Sequence, residues 1–214
     1  MKSKCIIALL LVSAVNAHSG VLSMTNQVSG AAGDTVIFFA SDSIAVSGFA
    51  TGGYFDTGYD VNAGLMTATT TGDFTSFIAA FNILASDQIG AGGGSGADGF
   101  YFASFDYGAP VLNPPIGASL YSILGNGVDL ESSTEFAVLM SSDTVAADVP
   151  LPDDNNITLP TNTTVLLGTV GTSLVDFGAG LVETPSLTLV AAVPEPSTFI
   201  LSAIGVLALL RRKR

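Results

Sequence analysis

Every basic side chain of this 214-residue chain sits at one of its two ends. Lys2 and Lys4 open it and Arg211, Arg212, Lys213 and Arg214 close it, whereas all 18 acidic residues fall between Asp34 and Glu195. Whatever the long middle folds into, it must do so without one Lys or Arg. Side-chain ion pairs are closed to it, apart from any made by His18 or a free N-terminal amine, so its carboxylates must be satisfied by neutral donors. Nucleic acid is excluded as a partner, because binding it requires cations that displace phosphate counterions. Salt or divalent cations are instead expected to screen the self-repulsion of a chain of net charge −12.

The middle is far from disordered. Nearly half of the residues are apolar and 13 are Phe, enough for a real core. With 24 glycines, nine prolines and no Trp, the text runs as short β-branched and aromatic stretches separated by Gly, Asp and Asn. Candidate strands are Val21–Val28, Thr35–Ala40, Ser43–Thr51, Leu65–Thr71, Phe100–Asp106, Ser119–Leu124, Glu135–Ser141, Val165–Val170 and Leu187–Val193. Their spacing predicts an all-β fold, an antiparallel β-sandwich of jelly-roll type.

One stretch departs from that pattern. From Asp73 to Phe81 the aromatic residues fall at 74, 77 and 81 with Ile78 beside them, which predicts a short helix over 73–81 with Asp73 as its N-cap. It would run into a strand near Asn82–Ser86; one long strand is the alternative. Between the candidate strands, Gly92–Gly96 reads as a flexible surface loop, since it lacks the Gly-Lys-Ser/Thr ending of a phosphate loop. Asn113-Pro114-Pro115 marks a turn, and Asn126-Gly127 suits a primed hairpin turn. Pro150 to Pro160 reads as a polar loop around Asp153-Asp154-Asn155-Asn156.

The two ends carry addresses. Met1-Lys2-Ser3-Lys4 is a positive n-region, Cys5 to Val12 an apolar h-region, and Val15-Asn16-Ala17 a small-residue site for signal peptidase. Residues 1–17 thus read as a signal helix. Removing them takes away Cys5, the one cysteine, and with it disulfides, thiolate metal sites and cysteine nucleophiles. At the other end, Pro194-Glu195-Pro196 fixes an extended, donor-poor backbone. The uncharged run Phe199 to Leu210 follows, and the four terminal cations mark a cytoplasmic side. As a helix that run spans about 18 Å, short of the roughly 30 Å of bilayer hydrocarbon unless flanking residues and snorkelling cations extend it.

This order of Pro-Glu-Pro, hydrophobic helix and Arg211, Arg212, Lys213 and Arg214 resembles the PEP-CTERM sorting signal of bacterial surface proteins. That tail is also known as the ice-binding-protein C-terminal domain. The resemblance covers residues 193–214 and implies recognition of Pro194, Glu195 and Pro196 by a membrane-embedded exosortase, a transpeptidase-like enzyme. It further implies a transient single-pass intermediate, and then release or transfer to the cell surface, envelope or exopolysaccharide matrix. Small β-rich cargo domains of such proteins are similar to the body seen here. The chain accordingly divides into a signal peptide at 1–17, an acidic β-rich extracellular domain at 18–192 and the sorting signal at 193–214.

Chemistry is sparse in that domain. The only histidine, His18, lies at the expected mature terminus, a poor place for a positioned base or a zinc ligand. A glycosidase would need two carboxylates across a cleft, and no pair stands out. Calcium has the better chemistry: Asp153, Asp154, Asn155 and Asn156 offer hard oxygen ligands in one stretch, and Asp56 and Asp60 flank a Gly-Tyr turn, though neither follows the EF-hand spacing. Asx-rich turns also arise simply because Asp and Asn satisfy the nearby backbone. The reading is therefore a non-enzymatic structural or binding module, with signal peptidase, exosortase and exopolysaccharide as partners. A carboxylate-dependent extracellular polysaccharide hydrolase is the alternative. Exported protein should begin His18-Ser19-Gly20; N-terminal sequencing that returns Met1 overturns the signal-peptide assignment.

Overall fold

The computed structural model describes residues 19–26, 36–40, 47–90, 99, 101–108, 114–145, 154–158, 162–176 and 180–192. The signal helix expected at 1–17, the glycine cluster at 92–96 and the hydrophobic helix expected at 199–210 lie outside them. In chain order the first elements are β1 (Ser19–Thr25), β2 (Ile37–Phe39), β3 (Gly48–Phe55), α1 (Val61–Thr71), α2 (Thr75–Ala79), β4 (Phe81–Ile89) and β5 (Phe102–Gly108). They are followed by β6 (Ser119–Gly125), β7 (Glu135–Thr144), β8 (Asp154–Thr158), β9 (Thr163–Leu167), β10 (Thr169–Asp176), β11 (Leu181–Thr188) and β12 (Val190–Ala191). The described chain is thus mostly β, as the spacing of short β-branched and aromatic stretches predicts.

The strands form one large sheet and two small ones. The large sheet has the order β12-β7-β6-β3-β4, with β9 also paired to β7. The small sheets are β5-β1-β8 and β10-β11-β2. Pairing is antiparallel except for β1 with β8 and β11 with β2, which run parallel. A purely antiparallel arrangement is therefore corrected to a mixed one: residues far apart in the chain return beside β1 and β2.

Both faces of the large sheet are covered, and the alternation of its strands shows how. Along β7, Ala137 and Leu139 enter one core while Phe136 and Val138 enter the other. The first core lies between the large sheet and the small ones, where Leu22 and Met24 of β1, Phe38 of β2 and Leu187 of β11 meet Ala50, Leu124 and Leu139. The second is aromatic: Phe55, Phe77 and Phe81, with Leu65 and Ala68 of α1, cover the opposite face. Phe55 touches Phe77 and Phe81 at ring-centroid distances of 4.9 and 5.0 Å, both tilted, the geometry that aromatic quadrupoles favour. A bulge opposite Gly52 and Gly53 turns the consecutive residues Leu84 and Ala85 of β4 into the same core.

Two fixtures hold the layers together. A Cβ added to Gly52 would run into Met24 Sδ and stand 2.9 Å from Leu22 Cδ2, so β1 can lie on the large sheet only because that position has no side chain. Asn26, fully buried at the end of β1, knots three segments. Its Nδ2 donates to the carbonyls of Val36 and Gly99, each at 2.7 Å, and its Oδ1 accepts from the Tyr101 N–H at 3.1 Å. Such a network satisfies backbone groups that are otherwise costly to bury.

Several local expectations are revised. Leu65–Thr71, read as a strand with an exposed threonine face, belongs to helix α1. Asp60 caps the start, its Oδ1 accepting from the Ala63 N–H at 3.0 Å, and Gly72 closes the end in the left-handed region at φ +71°. Thr67, Thr69, Thr70 and Thr71 each donate a hydroxyl to the carbonyl four residues back, which absorbs the β-branched run into helix. The helix expected over 73–81 is the shorter α2, with Phe74 in the capping position; Asp73 still supports it by accepting from the Thr75 N–H at 2.9 Å. Asn126-Gly127 is not a two-residue hairpin turn but the start of a longer loop, 126–134. The polar loop expected over 150–160 contains strand β8. Val165–Val170 divides at Gly168 into β9 and β10, and Leu187–Val193 into the end of β11 and β12.

Replacing Gly52 by Ala should cost about 1–3 kcal/mol through overpacking. Combining it with Met24→Ala should cost less than the two separate losses added together, because the smaller side chain vacates the clash. Urea unfolding of the two single variants and the double variant measures this, and strict additivity would contradict the contact.

Candidate functional site

The last described strand leads directly to the tail. Val190 and Ala191 of β12 pair with Phe136 and Glu135 at the start of β7, and the Ala192 N–H donates to the Thr134 carbonyl at 2.8 Å. Beside Ala192 lies a groove of about 700 Å³, walled by the start of α2 on one side and by loop 126–134 on the other. Its floor is apolar: Phe74 stacks on Phe136 with ring centroids 4.4 Å apart, flanked by Ile78 and Ile83. Its rim is acidic, with Asp73 on one wall and Glu131 on the other.

Loop 126–134 is stiffened by its own polar side chains. Asn126 Oδ1 accepts from the N–H groups of Thr134 and Glu135 at 2.9 and 3.1 Å. Asp129 Oδ1 accepts from the Ser132 N–H at 2.7 Å, and the Ser133 hydroxyl donates to the Asp129 carbonyl at 2.7 Å. Asp73 does the equivalent on the opposite wall. Hydrogen bonds from the Thr75 hydroxyl and N–H hold the Asp73 carboxyl below its usual range, and those from Ser132 do the same for Asp129.

A second cleft, of about 360 Å³, opens at the far end of β3 between residues 56–59 and residues 115–119. Tyr59 stacks flat on Phe55 at 5.3 Å, and Tyr121 meets Phe55 edge-on at 5.0 Å. Burial first, and then the charge of Asp60, push the Tyr59 phenol above its ordinary value, so it remains a neutral donor at physiological pH. Asp56 and Asp60, the acids flanking this turn, do not converge on an ion. Asp56 Oδ1 accepts from Asn82 Nδ2 at 2.8 Å, while Asp60 caps α1. Among the described residues no group of three or more His, Cys, Asp or Glu side chains could hold a metal ion.

The residues singled out in the sequence fare unequally. Asp154 and Asn155 lie in β8, their backbones in parallel register with Val21 and Leu22. Asp153, Ala17, Pro194, Glu195, Pro196 and the cations Arg211 to Arg214 lie outside the described residues. The groove beside Ala192 had no sequence signal beyond the aromatic spacing at 74, 77 and 81. Phe136 and Glu131 join it only because β12 and loop 126–134 fold to the same edge. Among the described residues no helix is long and apolar enough to cross a membrane.

Comparison with known families identifies the tail. Residues 192–214 match the PEP-CTERM protein-sorting motif, so the chain carries that motif directly after its last sheet strand. No curated protein and no solved structure matches the chain. The motif implies export, processing by an exosortase-type enzyme and sorting to the surface.

Because the Asp73 and Asp129 carboxyls are held below their unfolded values, their support is present above about pH 4 and is lost as the pH falls through the lower folded values. Protection factors at Thr75 and Ser132, with the intrinsic pH dependence of exchange divided out, should therefore fall on acidification below about pH 4, ahead of those in β6 and β7. Protection that changes uniformly across the domain would contradict it.

Proposed function

We propose that this protein is an exported component of the cell surface or extracellular matrix, delivered by its C-terminal signal. In this reading its acidic β domain, 18–192, works as a structural or binding module without catalytic turnover. The observation that carries it is the abutment of the sorting motif on the fold: the match begins at residue 192, whose N–H is the last described tie to the sheet. Signal peptidase would release the N-terminus. An exosortase-type transpeptidase would recognise Pro194, Glu195 and Pro196 while the apolar run holds the chain in the membrane and the basic tail stays inside. Exopolysaccharide is the polymer such a module would join.

A carboxylate-dependent polysaccharide hydrolase would have Asp73 and Glu131 of the large groove to work with. A glycosidic general acid must hold its proton at working pH, which requires a raised value. Asp73 is shifted the opposite way, which does not suit it to the acid role.

Glu195→Ala keeps both prolines and the apolar run, so insertion should survive while recognition fails, and unprocessed membrane-bound protein should accumulate. Deleting residues 199–214 should instead send the body into the medium. Fractionation blots in the native host test both; normal processing of Glu195→Ala together with cell-associated deletion protein would overturn the assignment.

A further inference from the structure

Several of the exposed apolar residues share one hairpin. Among the described residues seven large hydrophobic side chains are exposed, and three belong to the β10–β11 hairpin: Val170 at 65%, Leu174 at 65% and Leu181 at 69%. The register pairs Asp176 with Leu181 and Leu174 with Glu183, which puts Val170, Leu174 and Leu181 on one face of the hairpin. At the other end of the same face Leu187, opposite Val170, is buried in the first core. The hairpin therefore starts on the body and runs out past it, carrying Val170, Leu174 and Leu181 on a face they share with Thr172, Asp176 and Glu183.

Among the described residues β10 is also the outer strand of its sheet, in the order β10-β11-β2. Its eight residues, Thr169–Asp176, include no Pro, Lys or Arg, the residues that proteins place on edges to prevent strand pairing. A domain without basic residues has lost the commonest of these guards.

The sequence of β10 says what fits there. Laid antiparallel on itself about Thr172, it sets Val170 opposite Leu174 and Leu174 opposite Val170. Asp176 falls opposite Gly168, so no acid faces an acid. A dyad perpendicular to the sheet keeps Val170 and Leu174 of both copies on one face, as an isologous contact requires. Moving the centre one residue to Ser173 would place Val170 against Asp176, which favours the Thr172 register. We propose that β10 is a self-association edge, through which two copies of this chain pair into one sheet running β2-β11-β10-β10-β11-β2. Unlike a salt-bridged interface, this contact joins two acidic bodies through backbone hydrogen bonds and apolar side chains, so added salt strengthens it.

Exported protein recovered from the host tests this by sedimentation velocity from about 1 μM to about 1 mM, the range in which a small interface populates its dimer. The dimer fraction should rise with concentration and with sodium chloride, and Leu174→Lys should abolish it. Thr172→Cys, carrying the only thiol of the mature chain, should oxidise to a disulfide-linked dimer, because directly opposed residues lie within reach of each other. Val128→Cys, at a position 75% exposed in loop 126–134 and outside β10, should remain monomeric under the same oxidation. A wild-type monomer throughout the range overturns the proposal, as does a dimer that survives Leu174→Lys or a Val128→Cys protein that links as readily as Thr172→Cys.

Discussion

The architecture depends on a missing side chain. Where β1 crosses the large sheet, Leu22 and Met24 occupy the volume that any residue but glycine would claim at position 52. The surrounding positions on that face are small as well, with Ala50, Ala85 and Ala137 in the same core. Close approach lets β1 sit deep, and β1 is the centre of its sheet, so β5 and β8 are placed by it. Asn26 continues the effect one residue past the strand, binding the start of the second small sheet and the approach to β5. In a core packed as densely as an organic crystal, such a contact decides the spacing of two layers.

The absence of cations shapes the polar half of the fold in the same way. Each carboxylate must find a neutral donor, and the structure shows where those donors come from. Asp60, Asp73, Asp129 and Asp176 accept from backbone N–H groups at turns and helix starts. Asp56, Asp143 and Glu183 accept from the side chains of Asn82, Asn162 and Thr172. The first four contacts lie within four residues and organise turns, whereas the other three tie segments 11 to 26 residues apart. Cohesion over longer range is left to the two apolar cores and to the Asn26 knot.

How much of this could be read from the sequence follows from the range of each interaction. Short apolar stretches such as Ser119–Leu124 and Glu135–Ser141 gave strands at nearly the right bounds, because a strand buried on both faces is written as a run of neighbouring apolar residues bounded by turns. The threonine run before Gly72 misled, since β-branching favours strands while the caps at Asp60 and Gly72, which decide for helix, look like ordinary turn residues. β8 escaped notice because Asp154-Asn155-Asn156 has poor strand propensity and is recruited by β1, more than 125 residues earlier in the chain. The groove beside Ala192 was illegible for a similar reason: its walls come from α2, loop 126–134 and β12, which only the folded sheet edge brings together. The sorting tail was legible because its chemistry is contiguous, and residues 192–214 match that motif.

The tie between Ala192 and Thr134 sets the working room for anything that handles the tail. One residue, Val193, separates that hydrogen bond from Pro194, and an extended chain advances at most about 3.6 Å per residue. A catalytic cleft closing on Glu195 would therefore operate within roughly 10 Å of the folded body. It must either be shallow enough to abut the domain or first strip β12 from the edge of β7. Stripping is mechanically cheap, for β12 has two residues and its neighbour β7 remains paired on its other side to β6. The final strand can thus serve as a detachable hem, stitched down in the finished domain and lifted when a membrane enzyme needs slack.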